Sequence, residues 1–263
     1  MKEQRVESLV YQVKSAEDII YADPPLLDID TEKWMGHLEN GILTCRMKVH
    51  YSSVADARKE VESYLRAWEI GAAITHGRGS IRFVYQDASI IDLAPKGEGD
   101  VVVYLTAAAA AGVGTATAKV VITRRNYPPP PKVFRISPDV ETLWSRYEGY
   151  LDGKEPLLTM AYWCLTMIEV NYGQQGKRKA AARTINVDSE VLNTLGRLTS
   201  TKGDNTTARK APERGKWQPL SGTERTWIEA VVKRLICRVG EYAGCDDSST
   251  LTRVSMRDFP PLK

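Results

Sequence analysis

Asn126 to Lys132 read NYPPPPK, and this run decides how the rest of the chain is parsed. Four consecutive prolines carry no amide hydrogen for a sheet ladder and hold the backbone in a stiff extended form. No regular strand or helix passes through them. Alternating, strand-like segments precede the run, and segments with helix start and stop signals follow it. We read an α+β protein: residues 1–131 as an antiparallel sheet domain with one helix, and residues 132–263 as an all-α bundle with a docked C-terminal tail.

Upstream of the prolines, LTCRMKVHYSS alternates Leu43, Cys45, Met47, Val49 and Tyr51 with Thr44, Arg46, Lys48, His50 and Ser52. Period two predicts a half-buried strand with Cys45 facing the core and His50 facing solvent. The next segment places Val54, Ala57, Val61, Leu65, Trp68 and Ala72 on one helical stripe, with Ser53 to cap it and Gly77 to end it in the left-handed conformation. SIRFVYQ, ASIIDLA, DVVVYLTA and TATAKVVITRR read as further strands, the last two joined by a turn at AAAAGVG.

Downstream, Ser137-Pro138-Asp139 is a helix start with proline at its first position. Pro156 opens LLTMAYWCLTMIEVNYG, which is apolar nearly all round and belongs in the middle of a bundle. A helical region from Lys177 to Ser200 breaks near Ile185, with Asp188 as the cap of its second half. Ser221 and Glu224 form a capping box for a final helix striped with Trp227, Val231 and Leu235. The tail, LTRVSMRDFPPLK, is extended and docked, because Leu251, Val254, Met256 and Phe259 would otherwise lie in water.

Composition narrows the function. A chain of 263 residues with 43% hydrophobic and 26% charged residues can bury a substantial core. There is no apolar run of the length a bilayer requires and no signal-peptide core in MKEQRVESLV, so we expect a soluble cytoplasmic protein without a membrane partner. Cys45, Cys164, Cys237 and Cys245 have no paired spacing and are expected to be reduced. The formal charge is only +3, but Gln174 to Leu220 hold ten basic residues against four acidic ones, a local +6 that leaves the remainder at −3. That asymmetry points to an anionic partner.

The familiar catalytic patterns fail. GVGTATAKV has alanine before Lys119 and valine after it, so it lacks the phosphate-loop arrangement, and no helix follows to make a dinucleotide site. His37, Cys45 and His50 cannot converge on zinc if Cys45 and His50 face opposite ways. All three histidines precede the proline run, which leaves the bundle without a base for a nucleophilic triad. We expect neither a metal nor a cofactor.

Two features remain as binding candidates. Glu169 interrupts the apolar helix and must either find a partner, for which Arg183, Arg209 and Arg238 are available, or reach the bundle edge. It reads as an ion pair fixing the bundle register or as a site residue. KRKAAAR and ARKAPERGKW supply Lys177, Arg178, Lys179 and Arg183, then Arg209, Lys210, Arg214 and Lys216, with Lys202 before them and Trp217 as a stacking face. The connection Thr199–Glu224 that carries most of these is either a solvated loop or a working surface.

LLTMAYWCLTMIEVNYG, VLNTLGRLTSTKGD with its following ARK, and ERTWIEAVVKRLICRVGEYAG together resemble the helical domains of bacterial HEPN-like proteins, including the C-terminal regions of uncharacterised, phage-defence-associated ones. The resemblance covers about half the chain. Active members cleave RNA with an arginine, four to six intervening residues and a histidine on a helix. Here His37, His50 and His76 all precede the bundle, and Arg46 to His50 has the wrong spacing. The resemblance therefore implies the fold and its habit of pairing with itself or a partner protein, without the nuclease. The expectation is a non-catalytic accessory module of an antiphage-type assembly, engaging protein or nucleic acid through its basic loop. The alternatives are an RNA-binding or RNA-cleaving enzyme using Glu169, Arg209 and Lys210, and a self-assembling structural subunit.

Overall fold

Gln4–Lys14 (β1) is the strand around which the first half is built, although its alternation is poor when read along the sequence. In the computed structural model, which describes residues 4–92, 121–204 and 218–262, the chain forms two compact units, Met1–Pro131 and Lys132–Lys263.

In the first unit β1 lies between Ile42–Met47 (β5) and Arg82–Asp92 (β6), reached in sequence through Ile19–Tyr21 (β2), Leu27–Asp30 (β3) and Trp34–Glu39 (β4). The main sheet has the order β3-β4-β5-β1-β6, and every neighbouring pair is antiparallel. The register pairs Leu9 with Cys45 and Tyr11 with Leu43, which sets one apolar face. Glu7 is an extra residue against β6, between Val6↔Ile90 and Ser8↔Ser89, so Val6 and Leu9 both reach the core although three positions apart. Asn40 and Gly41, with φ of 51° and 78°, make the two-residue turn between β4 and β5. Both must adopt positive φ in such a turn, which is why Asn-Gly suits it.

Val54–His76 (α1) covers the apolar face with Ala57, Val61, Leu65, Trp68 and Ala72, and Ser53 caps it as its position predicts. Trp34 meets Tyr64 edge-to-face at 5.2 Å. Gly36 passes beneath Trp34, where a Cβ would come within 2.8 Å of the indole. Gly77 ends the helix at φ 98°, ψ 154°, positive in φ but extended in ψ rather than left-handed helical. The strand predicted over Leu43–Tyr51 ends at Met47, and Val49 is exposed.

DVVVYLTA, the AAAAGVG turn and most of TATAKVVITRR lie outside the described residues. The described end, Ile122–Arg124 (β7), is a strand, but it pairs parallel with β2 in a separate two-stranded sheet. The prolines then lie against the same unit: Trp68 Nε1 donates to the Pro128 carbonyl at 2.8 Å, and Tyr127 packs on Tyr21.

The second unit contains Pro138–Leu151 (α2), Leu157–Tyr172 (α3), Arg178–Thr184 (α4), Ser189–Thr201 (α5) and Gly222–Ala243 (α6). The apolar α3 touches α2, α4, α5 and α6, and so occupies the middle. Ser137 caps α2 with Pro138 inside its first turn, and Ser221 with Glu224 forms the capping box of α6. The break falls at Ile185–Asp188, where Asn186 takes φ 51°. Asp188 occupies the cap position of α5, but its side chain does not bond the helix amides; its carboxylate pairs with Arg253 instead. The tail is docked, with Val254 and Phe259 buried.

Candidate functional site

Glu169 sits in the last turn of α3, and a 3-10 turn at Gln174–Gly176 folds the chain back so that Arg178 opens α4 beside it. Arg178 Nε donates to Glu169 Oε1, so the partner is neither Arg183 nor Arg238, as the sequence suggested. Arg183 is exposed, Arg209 lies outside the described residues, and Arg238 serves the tail. Proximity across a three-residue turn outweighs the longer reach to the other arginines. Arg178 Nη1 also reaches Asn193 Oδ1 at 3.4 Å. Its guanidinium lies over Gly196 of α5, where a Cβ would stand 2.5 Å from Nη1. Two of the expected binding residues thus satisfy each other and tie α3, α4 and α5 together.

Lys202 is also occupied. Its ammonium lies 3.1 Å from Glu224 Oε1, and the neighbouring Gly203 N–H donates to the Gln218 carbonyl at 2.7 Å. The two ends of the long connection are therefore joined at its neck. Burial pushes the Glu224 carboxyl up, but the Ser221 amide and the Lys202 ammonium together hold it below the usual range. Arg209, Lys210, Arg214, Lys216 and Trp217 lie outside the described residues.

Lys177, Lys179 and Arg183 remain. All three are exposed at the start and along the length of α4, and none forms an ion pair with another described residue. Lys179 and Arg183 are four positions apart on a helix and so share a side of it.

The histidines lie elsewhere. His50 is exposed beyond β5, and His76 is exposed at the end of α1. His37 is exposed on the face of the sheet opposite α1, with Nδ1 2.9 Å from Asp28 Oδ1 and Nε2 3.8 Å from Glu39 Oε2. Beside it is a groove of about 550 Å³ lined by Asp28, Asp30, Met35, His37, Thr44 and Arg46. The two carboxylates address opposite ring nitrogens, and Lys48 occupies Asp30, so these groups do not converge on a point. No group of three potential metal ligands occurs among the described residues. The sequence reading missed this groove. The signal was Asp28-x-Asp30, whose spacing puts both carboxylates on one face of a strand.

Cys45 is buried, as its alternation predicts, and burial pushes its thiol up to about 12; Cys164 is likewise raised to about 12 and Cys237 to about 11. None of the three is a thiolate nucleophile near neutral pH. No helix among the described residues is long and apolar enough to cross a membrane.

No protein-family model matches the chain, and no curated protein or solved structure shows significant similarity to it.

Proposed function

We propose that this protein is a non-catalytic binding module of the cytoplasm. It engages a partner with clustered negative charge, a single-stranded RNA backbone first, through α4 and the basic connection that follows α5. The single observation that supports this reading is the contrast among the basic residues. Arg178 and Lys202 are consumed by Glu169 and Glu224, whereas Lys177, Lys179 and Arg183 stand exposed without an acidic partner among the described residues. Cations kept free of internal acids are available for phosphate, and they bind by releasing counterions without reading sequence.

The enzymatic alternative is weaker. Glu169 would have to act as a base or a ligand, yet its carboxylate is held by Arg178. The resemblance to HEPN-like domains is part of the same proposal. It adds the association of such bundles with themselves or with partner proteins, and an accessory role in antiphage defence.

The test is the salt dependence of binding to a labelled single-stranded RNA. Wild-type protein should bind, and Lys177→Ala/Lys179→Ala/Arg183→Ala should weaken binding and flatten the plot of log affinity against log salt by about 2, at about 0.7 per lost contact. An unchanged slope would remove α4 from the interface. RNA turnover by the wild-type protein would replace the binding reading with the enzymatic one.

A further inference from the structure

The segment after α6 is held across the bundle in a manner that resembles a bound peptide more than a core element. Asp188 N–H donates to the Val254 carbonyl at 2.8 Å, and Val254 N–H donates to the Asn186 carbonyl at 3.1 Å. The Asn186 side-chain amide donates to the Leu251 carbonyl at 2.6 Å, and Arg238 Nη2 donates to the Thr252 carbonyl. Each of these contacts reads main chain. Side chains add two anchors, Val254 and Phe259, and one ion pair, Arg253 with Asp188. Val187 and Val254 form a parallel bridge, which is how an extended peptide joins an existing backbone edge.

The seat is imperfectly filled. Trp227, against which Phe259 packs at 5.9 Å, has a buried indole N–H without a partner among the described residues. Arg238 is fully buried, and its Nη1 has no hydrogen-bond partner among the described residues. Its Nε lies 3.2 Å from Glu241 Oε2 but at an angle that makes no hydrogen bond. Trp227 and Arg238 are eleven residues apart on α6, three turns, and therefore lie on the same side of that helix. Lifting the segment breaks the bond from Arg238 Nη2 to Thr252 and lets water reach that guanidinium, so the lost bond and the unmet Nη1 donor are hydrated together. The tether is compatible with lifting: Cys245–Thr250 is a turn at the surface, closed on itself by Asp247 accepting from the Ser249 amide at 2.8 Å.

We propose that the seat formed by Asn186–Asp188 and the Trp227–Arg238 side of α6 is an extended-peptide site that opens locally. It accepts residues Leu251–Phe259 of a second copy of this chain in exchange for its own. The seat requires carbonyls at the positions of Leu251, Thr252 and Val254, an amide at Val254, and apolar groups five residues apart. The same segment of another copy meets each requirement by identity, which is the condition for swapping an element between protomers. The tail of this chain is then a strap that closes on its own bundle or on a neighbour's.

The test uses full-length protein and a fluorescein-labelled synthetic peptide of residues 248–262. The peptide should bind the Phe259→Ala chain, whose own strap is weakened, at least ten-fold more tightly than the wild-type chain. A peptide carrying Val254→Asp should bind neither. If a Phe259→Ala chain with a native circular dichroism spectrum takes up no peptide, or takes up both peptides equally, the proposal is overturned. Hydrogen exchange of the wild-type protein gives an independent reading should that variant fail to fold. The amides of Asp188 and Val254, which tie the strap to its seat, should exchange at least ten-fold faster than those of Val231 to Leu235 in α6. Equal protection would make the strap a permanent part of the core and overturn the exchange.

Discussion

Arg178 shows how one side chain fixes a local arrangement. It satisfies Glu169, reaches Asn193, and fills the space that Gly196 leaves open on α5. Because the obstruction at Gly196 would be the end of a flexible side chain, Gly196→Ala should act mainly by displacing the guanidinium. A loss of about 1–2 kcal/mol is expected by chemical denaturation, discounted because the pair is partly exposed. Most of that loss should vanish when Gly196→Ala is made in an Arg178→Ala background, since the two then share one interaction. Additive losses would show that Gly196 is packed for another reason. Glu241 presents the converse case, with one carboxylate serving Arg234 through both oxygens, at 2.9 and 3.1 Å, while lying beside the buried Arg238. Glu241→Ala leaves two guanidinium groups together without the acid they share and should cost about 2–3 kcal/mol. Arg238→Met removes a buried charge and its unmet donors but also the bond from Nη2 to the Thr252 carbonyl, and should cost less, about 1 kcal/mol. Thermal unfolding of the two variants measures the contrast, and equal losses would contradict it.

At the scale of elements, the start of α6 is joined to the end of α5. Ser221 and Glu224 cap α6, and Glu224 also holds Lys202, beside the bond from Gly203 to Gln218. A carboxyl held below its ordinary range in the folded state adds stability above its unfolded pKa, and that stability is lost as pH falls through the folded value. The urea midpoint should therefore drop between about pH 5 and pH 3, and Glu224→Gln should reduce the size of that drop. An identical pH profile would mean that Glu224 is as easily protonated folded as unfolded. Helix starts such as this one were readable in advance because a cap is a local bond between residues three apart. The strand β1 was not readable, because the bulge at Glu7 shifts Val6 out of phase with Leu9 and destroys the period of two. The β4–β5 hairpin was readable and was missed: Asn40-Gly41 between two alternating runs is a strong turn signal.

For the molecule as a whole, the two units each have an apolar interior of their own. One lies between α1 and the sheet, and the other around α3. A chain of residues 132–263 should accordingly unfold in one cooperative transition, without the dye binding of a molten state. A non-cooperative transition would show that the bundle depends on residues before Lys132. Of the binding residues named from sequence, Glu169, Arg178 and Lys202 proved to be internal partners, and Lys177, Lys179 and Arg183 remained exposed. Charge alone could not separate these groups, because a lysine or arginine reads the same whether its acid lies across a turn or is absent.

What the sequence determined by itself was whatever depends on neighbours a few residues away: the proline boundary, the caps at Ser53, Ser137 and Ser221, the apolar α3, and the break at Ile185. Only the tertiary structure decided the partner of Glu169, the parallel pairing of β7 with β2, and the seat of the tail on Asn186, Asp188 and Arg238. Each of these joins groups whose approach is set by how whole elements pack, and packing depends on summed contacts that no short window of sequence contains.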